Sequence, residues 1–299
     1  MSQAAPRVAR LGGRFGCALT VDVEEWYHTC LVPGYVNPED RPPLCQELDW
    51  LLPELLEMLA EAGSTATFFV LGEVAECMPG RVREIADAGH EIGSHGYLHL
   101  RATERSPKAF AADLRRSKAL LEDLTGQAVL GFRAPEWSLR SLGNSRLPLV
   151  ADAGFLYDSS LAPCPFSGST TNPRFASRLN WNGAIKNREL LEFPPLTFGG
   201  VLRLPAGSWT GRLANPERLM LAALDHRDAG GLPVAVVHPW EVSGRPTPGR
   251  LTGLAWFVHE TGRLGFHQRF RELLKGISWT SIAEAARLDA AASPLRAMA

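Results

Sequence analysis

No two cysteines in this chain are spaced as a metal-binding or redox pair. The five of them, Cys17, Cys30, Cys45, Cys77 and Cys164, are odd in number and contain no CxxC. That argues against a disulfide framework and a cysteine-ligated zinc, and reduced thiols of a cytosolic protein are the simpler reading. Cys30 stands near an acidic motif without a partner base that would make it a nucleophile. An excess of one charge is also missing, since 31 lysines and arginines face 32 aspartates and glutamates. No global field therefore draws the chain to nucleic acid or to an anionic membrane. Long apolar runs are absent as well, none nearing the roughly 18 residues of a membrane-spanning helix. The opening run MSQAAPRVARLGGRFG carries arginines without the apolar stretch of a secretion signal. The expectations are a cytoplasmic protein, no nucleic-acid partner, no stable membrane insertion and a flexible N-terminal tail over residues 1–14.

What is present is an ordinary globular composition, 45% hydrophobic and 21% charged over 299 residues, enough for one α/β barrel. Short apolar runs alternate with helical patterns. Phe15 to Val23 reads as a buried strand, Leu48 to Ala60 as a helix closed by Gly63, and Thr65 to Leu71 as a β-branched and aromatic strand. A short helix over Arg81 to Ala88 and a strand over Glu91 to Ser94 follow. Ser106-Pro107 then opens a helix to about Thr125 that Gly126 ends. Further strands are expected at Val129 to Arg133, Phe155 to Asp158, Leu190 to Phe193 and Pro233 to His238. Asn215 caps a helix to about Arg227, and Ile277 to Thr280 with Ile282 to Leu288 form a last strand-helix pair. Repeated β-then-α order implies parallel strands, hence an α/β barrel or open sheet. The Pro- and Gly-rich stretch from Ser243 to Gly253 reads as a surface loop.

The residues most capable of chemistry stand where these strands end: Asp22 and Glu24, then His95 and His99, Arg133, Asp158 and His238. In parallel α/β folds the carboxyl ends of strands share one rim, and sites are built there. His95-Gly-Tyr-Leu-His99 sets two imidazoles four apart, one helical turn if the segment coils. Two imidazoles and one carboxylate leave open positions on a divalent ion. On an extended strand Asp22 and Glu24 share a face while Val23 and Glu25 share the other. Glu24 is thus the better ligand, with Glu25 the alternative. Arg133 is placed to hold a carboxylate ionised, and His238 to act as a general acid. Trp26, Trp137 and Trp240 flank these groups with flat apolar faces suited to sugar rings.

Taken in order, these motifs resemble the polysaccharide deacetylase family, the NodB-homology or carbohydrate esterase family 4 group. Thr20-Val-Asp22-Val-Glu24 looks like its acidic first motif, and Ser94-His95-Gly-Tyr-Leu-His99 like its HxxxH motif. Arg133-Ala-Pro135 looks like its R-x-P motif and Val236-Val-His238 like its final apolar strand. Tyr157-Asp158-Ser159-Ser160 and His238-Pro-Trp-Glu241 are similar to the exosortase-associated, exopolysaccharide branch, with Asp158 corresponding loosely to an arginine-supporting motif. The resemblance implies a distorted (β/α) barrel as one catalytic domain over 15–290, its part from about 195 branch-specific, and a tail over 291–299. It implies zinc or a related divalent ion on Glu24, His95 and His99, and Asp22 as base steered by Arg133. His238 would be the acid, and Trp26, Pro135, Trp137 and Trp240 would meet an acetylated saccharide. The implied activity is N-deacetylation of a sugar polymer or its lipid-linked precursor. Val23 stands where many members carry a second aspartate. That departure keeps a non-catalytic carbohydrate binder in view, and an amidase for small amides on the same fold is the third alternative.

Overall fold

The computed structural model describes residues 5–28, 43–181, 188–243 and 253–288. Cys30, most of the loop expected at 243–253 and the tail at 291–299 lie outside the described residues. The first long strand, β2 (Cys17–Val23), reads CALTVDV and is buried at every position, because a parallel sheet covered on both faces needs a continuous rather than alternating apolar run. It pairs in parallel with β3 (Thr67–Val70), and that with β4 (Glu91–Ser94). The ladder continues through β5 (Gly131–Phe132), β6 (Tyr157–Asp158) and β8 (Arg188–Glu192), all parallel. On the other flank β11 (Val234–Val237) and β12 (Trp279–Thr280) pair in parallel with β2. The chain leaving β8 reaches β11, where the Leu196 N–H donates to the Val234 C=O at 2.8 Å. The parallel strands thus curve into a distorted (β/α) barrel, and along this seam a loop stands where a ladder would run.

Two antiparallel strands extend the sheet beyond β8: β7 (Ser177–Trp181), and β1 (Arg7–Arg10) paired to it. β1 corrects the expectation of a flexible tail over 1–14. Its four residues are exposed, so no apolar pattern marks them, and ladder hydrogen bonds to β7 supply the order. A small hairpin of β9 (Thr197–Phe198) and β10 (Leu204–Pro205) follows the seam.

The outer helices are α1 (Leu48–Glu61), α2 (Gly72–Cys77), α3 (Pro79–Asp87), α4 (Pro107–Thr125), α5 (Leu147–Asp152) and α6 (Ser208–Leu213). After them come α7 (Pro216–Asp228), α8 (Pro239–Val242), α9 (Gly253–Glu260), α10 (Phe266–Gly276) and α11 (Ile282–Ala286). The Ser106 side chain caps α4 by accepting from the Ala109 N–H at 3.2 Å, and Gly126 ends it at φ 68°. Phe110, Leu114 and Leu121 bury one face of α4 against the sheet. Close approach fixes one glycine: a Cβ on Gly93 of β4 would stand 2.6 Å from Phe69 Cδ1. No helix of the described residues is long and apolar enough to cross a membrane.

Candidate metal centre and active site

Strand β2 ends in a tight turn, the Glu24 N–H donating to the Asp22 C=O at 3.0 Å. Asp22 and Glu24 are both about 5% exposed. Their neighbour Glu25 is turned the other way. Its Oε1 accepts from the N–H groups of Glu47 and Leu48 at 3.2 and 3.4 Å, where α1 begins. Burial pushes its carboxyl up to about 7. Between the two candidates, the structure sets Glu24 among the imidazoles.

His95 and His99 follow β4, and the segment between them does not coil into a helical turn. It bends, with Gly96 at φ 88° and the Tyr97 N–H held by Asp113 Oδ2 at 2.9 Å. An αL position next to a packed carboxylate suits glycine alone. The bend still converges both rings: Glu24 Oε2 lies 2.6 Å from His99 Nε2 and 3.8 Å from His95 Nε2. His95 Nδ1 is 2.8 Å from the Arg133 C=O. That contact holds the proton on Nδ1 and leaves the Nε2 lone pair facing Glu24, the arrangement of a metal-ligating histidine. One ligand atom from each of Glu24, His95 and His99 lies within 4.8 Å of the others, all three residues buried. A carboxylate and two imidazoles so placed fit a divalent ion. Burial works against charge on Glu24, but His99 and His238 hold its carboxyl well below the usual range.

Arg133, just past β5, is fully buried. Its Nη1 donates to Asp22 Oδ1 at 2.7 Å and to Thr20 Oγ1 at 2.8 Å, while Nη2 and Nε reach Ser159 Oγ and O. The guanidinium also lies over the Phe69 ring, 4.3 Å from its centroid. Ser159 therefore holds Arg133, and Asp158, expected there, instead accepts from Ser160 Oγ at 2.6 Å. The two are adjacent, and strand alternation sends them to opposite faces.

His238 closes β11. Its Nε2 stands 3.4 Å from Glu24 Oε1 and 3.9 Å from Asp22 Oδ2. Its Nδ1 meets Glu241 Oε2 at 2.7 Å, and the same oxygen accepts from the His238 N–H at 3.0 Å. Behind Glu241 lies Arg212, 1% exposed, ion-paired to its other oxygen and bonded to the C=O groups of Val258 and Thr261. Burial disfavours charge on His238, yet Glu241 and Glu24 raise it to about 9. Burial likewise opposes charge on Glu241, which His238 and Arg212 bring down to about 2.

Asp22, Glu24, His95, His99 and His238 floor a cavity of about 260 Å³ whose walls include Trp137, Phe166, Leu204, Trp209, Trp240 and Val258. Of the aromatic residues expected to meet substrate, Trp137 and Trp240 line it. Trp26 does not: it is 2% exposed and packs with Tyr27, Leu51 and Trp240. Pro135 is also outside the lining and opens the turn that carries Trp137. Glu136 and Trp137 there adopt φ of 57° and 49°, local strain of the kind that gathers at functional sites. Sequence reasoning missed Glu241, Arg212, Trp209 and Phe166. Glu241, three residues after His238 across a helix-starting proline, carried a legible signal, and the other three carried none.

Residues 46–152 match the polysaccharide deacetylase family. That span holds His95, His99 and Arg133 but not Asp22, Glu24 or His238. A peptidoglycan deacetylase of Helicobacter pylori is 36% identical over 110 residues, 37% of this chain and 36% of the relative. A peptidoglycan deacetylase-like protein of Gibberella zeae is 36% identical over 110 residues, 36% of this chain and 32% of the relative. The matched region spans about a third of the length of these curated relatives. A solved Mycobacterium smegmatis structure, provisionally described as a polysaccharide deacetylase, superposes with a TM-score of 0.60 at 25% identity. The superposition covers 95% of this chain and 93% of that one. Over residues 46–152 in sequence, and over most of its length in fold, the chain is similar to polysaccharide deacetylases.

Proposed function

We propose that this chain is a metal-dependent hydrolase that removes N-acetyl groups from a sugar. The observation that carries the reading is convergence: Glu24, His95, His99, Asp22 and His238 all line one cavity, with Arg133 buried behind Asp22. Glu24, His95 and His99 would hold a divalent ion, zinc in this reading, and such an ion would lower the pKa of water and polarise an acetyl carbonyl there.

The protein's own groups account for the proton traffic. Arg133 occupies Asp22 Oδ1, so Oδ2 is the oxygen left toward the cavity to accept the water's proton. His238 is tethered at Nδ1, so its Nε2 proton is the one aimed at the site, where the departing sugar amine requires it. Trp137, half-buried in the lining, offers its ring to the sugar, while Trp240 is 5% exposed with its ring stacked against His238 and His259. We place the reaction in exopolysaccharide assembly in the cytoplasm, on a polymer or its lipid-linked precursor. The support is the sequence resemblance of T-V-D-V-E, Y-D-S-S and H-P-W-E to that branch.

Acetate release from N-acetylglucosamine oligomers across several divalent metals tests the reading, alongside metal content. His95→Ala is expected to lose one metal equivalent. Asp22→Asn is expected to keep the metal and lose at least a hundredfold in turnover, within the range of general acid–base catalysis (about 10²–10⁴-fold). Sugar binding without acetate release by the wild type would sink the enzyme assignment in favour of a binding protein.

A further inference from the structure

Large apolar side chains stand exposed on the segments that line the cavity. Phe166, which lines it, is 68% exposed. Leu202, 61% exposed, sits in the turn leading into β10, whose Leu204 and Pro205 are lining residues. On α9, Phe257 is 44% exposed and meets the lining Trp209 with ring centroids 5.9 Å apart. Leu254, 67% exposed, is one helical turn before the lining Val258 and so shares its face. Three separate segments thus present large apolar side chains around one opening. Scattered apolar residues need no explanation, but exposed ones gathered on the segments that line one pocket point to a contact surface.

The occupant is constrained by position. A second copy of the chain or a resident protein partner seated on this collar would stand across the cavity and bar substrate. Only something that arrives and leaves with the substrate can use both. The cavity itself, about 260 Å³, falls below the roughly 300–1,000 Å³ typical of drug-sized ligands, room for about one acetamido sugar beside the ion. A long polysaccharide would carry its polar flanking sugars onto the apolar collar. An apolar aglycone would find there the surface it needs.

We propose that the collar formed by Leu202, Leu254, Phe257 and Phe166 binds an apolar aglycone, so that the substrate is a single acetamido sugar on a lipid-like carrier. This rests on the deacetylase reading for the place of the sugar. Among that reading's substrates, it selects the lipid-linked form.

Binding, measured by tryptophan fluorescence on the metal-loaded protein, tests it without requiring turnover. The probes are the octyl and methyl glycosides of N-acetylglucosamine, below micelle-forming concentration, and the N-acetylglucosamine tetramer. The octyl glycoside is expected to bind at least tenfold tighter than the methyl one, the effect of burying about two methylenes. Leu202→Ser with Leu254→Ser, both exposed positions, is expected to cut that advantage below threefold while methyl-glycoside binding holds. Equal binding of the two glycosides, or a tetramer that outbinds the octyl glycoside, overturns the proposal. Sedimentation with phosphatidylcholine vesicles in the absence of any octyl preference also overturns it and gives the collar to a bilayer. Octyl preference without acetate release would leave this inference standing and fell the deacetylase reading alone.

Discussion

Three buried carboxylates around the site differ in what their second oxygen meets. Asp22 gives one oxygen to Arg133 and keeps one toward the cavity. Glu24 gives both to imidazoles. Glu241 gives one to His238 and one to Arg212, so it serves as a positioning residue that fixes the ring and leaves Nε2 forward. This makes a leaving-group test specific. Glu241→Gln should lower turnover of an N-acetyl sugar at least tenfold, because an amine cannot depart unprotonated. The same variant should change hydrolysis of an aryl acetate less than threefold, since a phenolate needs no proton. A substitution that merely loosened the fold would depress both. Asp22, Glu24, His95, His99 and His238 were legible because strand ends are marked by pattern and chemistry together. Arg212 was not, since its place is set by α9 packing against it from forty-odd residues away.

At the scale of elements, support for the site comes from plain packing. Phe69 on β3 is sandwiched between Gly93 on β4 and the guanidinium of Arg133. Gly93→Ala is therefore expected to displace that ring, destabilise the fold by about 1–3 kcal/mol as overpacking does, and tilt Arg133 away from Asp22. Thermal melts and kcat should fall together. Ser106→Ala, by contrast, removes the α4 cap far from the cavity and should cost about 1 kcal/mol while kcat is unchanged. That helix was readable end to end because serine, proline and glycine stand at its ends. The two-residue strands β9 and β10 and the exposed β1 are shorter or more polar than any pattern resolves. Only their partners' hydrogen bonds make them strands. The HxxxH spacing marks the pair but not the path between its members, since Gly96 alone signals the bend.

For the whole molecule, acid should unfold it partly through histidines remote from the chemistry. Burial lowers His90 to about 4, and burial with Arg174 and Arg10 lowers His226 to about 4. The unfolded chain titrates these rings near 6.5, so below that pH it binds more protons than the native state. Stability present above about pH 6.5 should be lost as the pH falls toward 4. His90→Gln is expected to flatten the slope of the denaturant midpoint over that window by about one proton. Divalent metal at a hundredfold over its Kd should stabilise the wild type by about 2.7 kcal/mol and leave the melting temperature of His95→Ala unmoved. The loop-held seam between β8 and β11 has a further consequence. The proposed ligands, base and arginine lie at the ends of the continuous ladder from β2 to β5, whereas Leu202, Leu254 and Phe257 of the apolar mouth hang on segments that follow the seam. Exchanging 197–206 and 254–257 between relatives should redraw what the protein accepts without rebuilding its chemistry, making this barrel a chassis on which new substrate ranges can evolve by loop replacement alone.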